Sequence, residues 1–126
     1  MQRGFTDNLQ VWHKAMNLAK GVYLYCRVLP VEERFGLCDQ MRRAAVSVTS
    51  NIAEGHGRYT DKEFLRFLSI AHGSLSELKT QLLLCEELFP DKSSEAHALV
   101  GLAIEVDKMM NGLKKNIGNI RSCCVR

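Results

Sequence analysis

The stretch from residue 37 to residue 55 carries two parallel stripes of side chains when it is wound as an α-helix. One stripe is apolar and recurs at alternating spacings of three and four, at Leu37, Met41, Ala44, Val48 and Ile52. The stripe beside it is polar and consists of Gln40, Arg43, Ser47, Ser50, Asn51 and Glu54. A solvated helix face usually carries long charged residues of both signs, whereas this one is mostly small hydroxyls and amides. The stretch therefore predicts an amphipathic helix whose polar stripe makes a specific contact.

The remainder of the chain extends this pattern to an all-α fold. Two prolines occur, at positions 30 and 90, and no run of alternating β-branched residues predicts a strand. The periodicity predicts helices over about residues 7–28, 32–55, 61–88 and 94–120. A capping box from Thr60 to Glu63 opens the third helix, and Gly55 and Gly57 close the second. We expect one domain over residues 1–126, an antiparallel up-down-up-down four-helix bundle.

The first and last helices differ in how much apolar surface they carry. The apolar arc of helix one spans about 200°, twice the stripe of about 100° that is usual for a surface helix. Either this helix lies unusually deep, or part of its arc faces another subunit, and we favour the subunit. Helix four confines most of its large apolar residues to about 120°. Val100 and Ile104 fall outside that arc and are expected to be exposed.

The third helix carries a second polar stripe, made of Ser74, Glu77 and Gln81. Two antiparallel neighbours would join it to the stripe of the second helix. Arg43 is expected to form an ion pair with Glu54 or Glu77, because buried charges are usually paired. An acid–base pair of Glu54 and Glu77 is the weaker alternative. The stripes then either fix how two helices meet inside the bundle or line a subunit interface.

The sequence contains no pattern typical of an enzyme's metal or nucleophile. Di-iron sites of four-helix bundles need Glu-x-x-His motifs, and this chain has none. His13, His56, His72 and His97 are scattered over all four helices and neighbouring loops, although His72 could approach the polar stripe. We therefore predict no metal, no cofactor and no catalytic residues.

The cysteines and the apolar runs indicate in which cellular compartment the protein is expected. Five cysteines, with no C-x-x-C pair, are typical of reduced thiols in the cytoplasm. The adjacent Cys123 and Cys124 lie near the end of the last helix, where a redox or metal role is disfavoured. No basic-then-apolar signal peptide opens the sequence, and its longest apolar run is too short to cross a bilayer. We expect a cytoplasmic protein without a membrane partner.

The net charge of +3, from 17 basic and 14 acidic residues, is mild and permits an acidic partner without requiring one. The surplus of basic over acidic residues lies in residues 1–30 and 91–126. Candidate nucleic-acid-binding residues are Lys20, Arg27, Lys108, Lys114, Lys115 and Arg121. In one monomer such residues are more often a solvated face, but a ring of subunits would multiply each phosphate contact.

Several motifs together resemble one protein family. They are Leu9-x-Val11-Trp12-x-Lys14-Ala15, Glu33-x-Phe35-Gly36-Leu37-x-x-Gln40, Arg43-Ala44-Ala45-x-Ser47, Asn51-Ile52-Ala53-Glu54-Gly55 and Phe64-x-x-Phe67-Leu68-x-x-Ala71. This combination resembles the bacterial four helix bundle protein family, whose first members were encoded in intervening sequences of large-subunit ribosomal RNA genes. The resemblance covers roughly residues 5–88. Phe35 replaces the more usual tyrosine, and Leu29 replaces the more usual phenylalanine before Pro30.

The resemblance implies a left-turning four-helix bundle that assembles as a homopentameric ring, with no established enzymatic activity. The family is similar to the accessory variability protein of diversity-generating retroelements, which is pentameric and basic and binds nucleic acid and a reverse transcriptase. Our hypothesis is a homo-oligomer, a pentamer, that binds the backbone of RNA or DNA through basic surfaces. The alternative is a structural or adaptor module that docks a protein partner such as a reverse transcriptase, and an enzyme ranks third.

Overall fold

The computed structural model describes the backbone of residues 9–125 and the side chains of residues 9–117. Within that range the chain forms four α-helices and no strand, which confirms the all-α four-helix bundle. The helices are α1 (Gln10–Val28), α2 (Leu37–His56), α3 (Asp61–Leu88) and α4 (Ser93–Val125). Short 3₁₀ turns at Val31–Glu33 and Pro90–Lys92 precede α2 and α4.

The helices form a ring in which each contacts the next and α4 returns to contact α1. Pairs of contacts show that neighbours are antiparallel. Ser47 and Gln40 of α2 meet Ser74 and Gln81 of α3, and Lys14 and Gly21 of α1 lie against Glu105 and Leu99 of α4. We call the end of the bundle that holds the loop between α1 and α2 the upper pole. The loop between α2 and α3 lies at the opposite, lower pole.

The core lies along the axis of this ring. Every helix contributes fully buried side chains, and the largest of them are Leu18, Val22, Met41, Ile52, Leu68, Leu75, Leu78, Leu82 and Met110. The predicted apolar stripe of α2 is buried at Met41, Ala44, Val48 and Ile52, while Leu37 is half-buried. Burial of this stripe against α1 and α3 accounts for the position of α2 in the bundle.

Local signals explain most helix ends. Pro30 holds Leu29 in an extended conformation, with ψ of 158°, and thereby ends α1. The Oγ1 atom of Thr60 accepts a hydrogen bond from the backbone N–H of Glu63 at 3.1 Å and so caps α3. The N-cap of α1 is Leu9, which provides no side-chain cap, and residues 6–8 lie outside the described part of the chain.

Two expectations about the helices were wrong. The α-helix α2 begins at Leu37 rather than near residue 32, because Gly36 has a non-helical backbone with φ −104° and ψ −104°. Val100 of α4 is 7% exposed rather than solvated. The buried face of α4 consists of Ala96, Val100, Ala103, Val106, Met110 and Ile117, whereas Leu99, Leu102, Met109 and Leu113 are only partly buried. Ile104 is exposed as expected.

Close approach of helices also explains one glycine. A Cβ atom built on Gly55 of α2 would lie 2.6 Å from the Cβ of Phe67 and 3.3 Å from the backbone O of Phe64. These distances are too short for a side chain, so α2 and α3 can pack at this level only with glycine at position 55.

Candidate functional site

The polar stripes predicted on α2 and α3 meet in a polar seam, which consists of Gln40, Ser47, Asn51, Ser74, Glu77 and Gln81. At its centre the Oγ atoms of Ser47 and Ser74 lie 2.7 Å apart. Asn51 donates from Nδ2 to the Oγ of Ser47 at 3.0 Å and to its carbonyl O at 2.8 Å. Because each of these side chains is only partly exposed, the bonds are shielded from competing water.

Gln81 extends the polar seam towards the upper pole. Its side chain is 7% exposed, and its Nε2 atom lies 3.5 Å from Oε1 of Gln40 and 3.4 Å from Oε2 of Glu77. These are long hydrogen bonds, weaker than those at the centre of the polar seam. The stripes therefore join α2 to α3 within one chain.

The expected ion pair of Arg43 with Glu54 or Glu77 is absent from the described residues, so that prediction was wrong. Arg43 bonds Asp39 through Nε at 3.1 Å, and Glu54 bonds Arg58 at 2.6 Å. In both pairs the residues are four apart in the sequence; Asp39 and Arg43 lie within α2, whereas Arg58 lies just beyond its C-terminal end. Arg43 and Glu54 are eleven residues apart, about 16 Å along the helix, which is beyond the reach of the two side chains.

The carboxylates of Glu54 and Glu77 also lie far from each other. Since Ser47 is level with Ser74 and the helices are antiparallel, Glu54 is level with Phe67. Glu77 lies ten residues farther along α3, about 15 Å away. A paired-carboxylate acid–base site is therefore not formed by these two residues.

The basic residues predicted on α1 lie beside an apolar groove. This groove, between α1 and α2, has a volume of about 530 Å³ and is lined by Met16, Ala19, Lys20, Tyr23, Leu24, Arg27, Val46 and Thr49. Lys20 and Arg27 are exposed, and neither forms an ion pair with a carboxylate within residues 9–117. Tyr23, Leu24 and Val46 are exposed apolar side chains. Part of the broad apolar arc of α1 is thus left uncovered by the chain itself.

The basic residues predicted on α4 form a separate group. Lys108 and Lys115 are exposed and Lys114 is half-buried, while the side chain of Arg121 lies outside the described residues. The ion pair of Lys14 with Glu105, at 3.1 Å, fixes the relative level of α1 and α4. From that level Arg27 lies thirteen residues up and Lys115 ten residues down, about 35 Å apart along the axis. The predicted residues therefore do not form one patch on a single chain.

Two arginines near Arg27 were not predicted as site residues. Arg34, in the loop before α2, and Arg42, in the second turn of α2, line a cavity at the upper pole together with Arg27. Residues 31–58 hold four basic and four acidic residues, so this segment is neutral in total. The pairing of Arg43 and Arg58 within α2 and its C-terminal end leaves Arg34 and Arg42 without a carboxylate partner among the described side chains. Arg34 and Arg42 could have been identified from the sequence by asking which basic residues lack an acidic residue four positions away, rather than from the net charge of the segment.

The buried cysteines form structural contacts. Cys26, Cys38 and Cys85 are free thiols. The Sγ atoms of Cys26 and Cys38 each lie 3.8 Å from the other's carbonyl O, which links α1 to α2. Burial raises the pKa of Cys26 to about 12, and the adjacent Cys38 thiol acts in the same direction. Burial also raises the pKa of Cys85 to about 11. Thiols with such high pKa values are poor nucleophiles at neutral pH. The side chains of Cys123 and Cys124 lie outside the described residues.

The histidines also have structural surroundings. His72 contacts Oδ1 of Asp107 on α4 at 2.8 Å instead of approaching the polar seam, and Lys79 reaches the other oxygen of Asp107 at 3.4 Å. His97 lies 3.5 Å from Glu86, and the ring of His56 packs edge-on against Phe64.

Two further features are absent from the described part of the chain. It contains no group of three or more histidine, cysteine or acidic side chains placed to hold a metal ion. None of its helices combines the length and apolar character that crossing a membrane requires.

Comparison with known proteins identifies the family. The family model described as 23S rRNA-intervening sequence protein matches residues 7–112. A crystal structure of a protein of unknown function from the S23 ribosomal protein family of Bacteroides thetaiotaomicron is similar in fold, with a TM-score of 0.75 and 22% identity, over 83% of this chain and 98% of that one. No curated protein matches. Since the matched segment includes all of α1, α2 and α3 and most of α4, the chain belongs to the 23S rRNA-intervening sequence protein family.

Proposed function

We propose that this protein is a non-enzymatic, cytoplasmic homo-oligomer, a pentamer, that binds the phosphate backbone of RNA or DNA through its basic surfaces. The observation that carries the proposal is the position of Lys20 and Arg27, which are exposed, unpaired with any described carboxylate, and located at the rim of the apolar groove between α1 and α2.

The groove supports assembly. Tyr23, Leu24 and Val46 place apolar surface next to one another on the outside of the bundle. Contiguous exposed apolar surface usually marks a contact with another molecule. A second copy of the chain bound in the groove would bury this apolar surface. The basic pair of Lys20 and Arg27 would then occur once in each subunit. Phosphate contacts then add over the ring, which turns a weak monomer surface into a measurable binding surface.

Light scattering tests the assembly. We expect a mass five times that of the 14.2 kDa chain, and a loss of that mass in Leu24→Asp. Leu83→Asp on α3 is the matched control, because Leu24 is 59% exposed and Leu83 is 50% exposed. A monomeric wild-type protein, or an assembly that Leu83→Asp breaks and Leu24→Asp does not, would contradict assembly through the groove.

A salt series tests nucleic-acid binding. The affinity for a labelled oligonucleotide should fall as salt rises, with a slope of about 0.7 per contacted phosphate for single strands. Replacing Lys20 and Arg27 by glutamine should reduce both affinity and slope, whereas the same change at Lys62 and Arg66 should not. Affinity that is independent of salt, or no affinity at about 50 mM salt, would contradict phosphate binding.

The groove also favours a second candidate function, an adaptor that docks a protein partner such as a reverse transcriptase. An apolar groove with a basic rim suits a protein surface as well as a second copy of the chain. A reverse transcriptase encoded next to this gene would be the partner to test. Co-elution of the two purified proteins that Leu24→Asp abolishes, together with a monomeric mass and no oligonucleotide binding, would favour the adaptor.

A further inference from the structure

A cavity of about 330 Å³ opens at the upper pole, between the end of α1, the 3₁₀ turn and the start of α2. Its lining includes three arginines, Arg27, Arg34 and Arg42, and two cysteines, Cys26 and Cys38. The two cysteines are buried, so the cavity has an apolar inner side and a cationic outer side.

Two of the arginines are held in place by neutral groups. Arg42 donates from Nη2 to the carbonyl O of Arg34 at 3.3 Å, and its guanidinium lies 5.8 Å from the centre of the Tyr23 ring. The guanidinium of Arg34 lies 6.0 Å from the centre of the Phe35 ring. These contacts orient the guanidinium groups without neutralising their charge.

The acidic residues near the cavity do not pair with its arginines. Asp39, which precedes Arg42 on α2, is paired with Arg43. Glu32 and Glu33 belong to the 3₁₀ turn, but neither lines the cavity or forms an ion pair with an arginine in the described part of the chain. Three like charges around one cavity repel each other, and an anion bound among them removes that repulsion. Guanidinium groups match phosphate oxygens in geometry, so phosphate is the anion this cavity suits.

An aromatic ring lies beside one of the arginines that line this cavity. Phe35 is 87% exposed and directly follows Arg34 in the loop. A phenylalanine so exposed buries almost none of its apolar area in the fold. Proteins that bind single strands stack the bases on aromatic rings that lie beside cationic groups.

We propose that the upper-pole cavity and Phe35 form a nucleotide site for single-stranded nucleic acid, in which Arg27, Arg34 and Arg42 hold a phosphate and Phe35 stacks on the adjacent base. This site rests on the proposed nucleic-acid binding and deepens it, since it defines a strand preference. In a duplex the bases are stacked on one another and paired, so Phe35 has no free base to contact. Single strands therefore bind more tightly than duplexes of the same sequence.

Fluorescence anisotropy with a labelled 12-nucleotide single strand, in DNA and RNA versions, and the matching duplex tests the site. Arg42→Gln weakens single-strand binding at least about tenfold and lowers the salt slope by about 0.7, because one charge-assisted contact is lost. Phe35→Ala weakens single-strand binding about tenfold and leaves duplex binding unchanged. Circular dichroism confirms that each variant is folded.

The lower pole offers matched controls. Arg66 is exposed and stacks on Phe67 at 4.9 Å, as Arg42 does on Tyr23, so Arg66→Gln removes an equivalent charge. Tyr59 is fully exposed, so Tyr59→Ala removes an equivalent aromatic ring. Neither control changes single-strand affinity if the site lies at the upper pole.

The outcomes separate this inference from the function on which it rests. If Arg42→Gln and Phe35→Ala bind like the wild type while Lys20→Glu weakens binding, the nucleotide site is refuted and nucleic-acid binding stands. If the wild type binds no oligonucleotide, nucleic-acid binding is refuted, and a titration with uridine 5′-monophosphate followed by NMR decides the cavity. Saturable shifts that Arg42→Gln abolishes support a nucleotide site, and no shifts refute it. Equal competition by inorganic phosphate and by the nucleotide refutes the role of Phe35.

Discussion

Replacing Gly55 by alanine should destabilise the protein, although alanine is the better helix former. The added Cβ would meet the Cβ of Phe67 at 2.6 Å and the backbone O of Phe64 at 3.3 Å. Neither atom can move unless the backbone of α3 moves, so the substitution forces α2 and α3 apart. Overpacking of this kind costs about 1–3 kcal/mol. The intrinsic preference of alanine over glycine in a helix returns about 1 kcal/mol.

Gly73 on α3 provides the matched control. No atom lies within 4 Å of the Cβ that alanine would add there. Gly73→Ala should therefore keep the propensity gain of about 0.5–1 kcal/mol without a steric cost. Gly21 is intermediate, because its added Cβ would meet only the flexible end of Leu99, at 2.6 Å from Cδ2. The expected order of stability is Gly73→Ala, then wild type and Gly21→Ala, then Gly55→Ala.

Urea unfolding followed by far-ultraviolet circular dichroism measures these differences, at one protein concentration because assembly would add to stability. Because both variants gain the same helix propensity, they should differ by the overpacking cost alone, about 1–3 kcal/mol, or roughly 4–12 °C in Tm. Equal stability of the two variants would refute the close contact of α2 and α3 at Gly55. If Gly73→Ala alone is unexpectedly destabilised, Gly101→Ala, which also meets no atom within 4 Å, repeats the control.

Three further measurements test other contacts. Ser47→Ala and Ser74→Ala should show a coupling free energy of about 1 kcal/mol in a double-mutant cycle, since their Oγ atoms share one hydrogen bond, and additive effects would contradict that bond. Asp107→Asn should lower stability by about 1 kcal/mol in urea unfolding, less in high salt, because its carboxylate meets two basic side chains of α3. Burial raises the pKa of Cys26 to about 12 and of Cys85 to about 11 from an ordinary value of 9.0, so the unfolded chain loses these protons first. Stability should therefore fall from pH 9 to about pH 11 through Cys85 and to about pH 12 through Cys26, by at most about 1.4 kcal/mol per pH unit per thiol, and replacing both cysteines by alanine should flatten that decline.

The sequence predicts the bundle well because burial of an apolar stripe is a property of each helix by itself. Met41, Val48 and Ile52 are buried as their spacing indicates, and Pro30 and Thr60 act within a few residues of the helix ends that they set. The start of α2 was missed because acidic residues at positions 32 and 33 are equally compatible with the first turn of an α-helix and with a 3₁₀ turn. The backbone conformation of Gly36 decides between the two, and no side-chain pattern in the sequence indicates that conformation.

The partners of charged residues were harder to predict than the helices. A stripe gives the direction in which a side chain points but not its level along the axis, so Arg43 and Glu54 share a direction and are still too far apart to meet. The upper-pole cavity shows the same limit. Arg27, Arg34 and Arg42 come from a helix end, a loop and a helix start, and the path of the loop decides that they line one space.

The alternating direction of the four helices limits what the backbone contributes to the electric field at each pole. The backbone dipoles of α1 and α3 point one way and those of α2 and α4 the other, so they largely cancel outside the bundle. Neither pole therefore carries a potential from aligned peptide groups. The field above the upper pole comes from its side chains. Replacing one of its arginines by a neutral residue therefore changes that field directly, because the backbone contributes little to it.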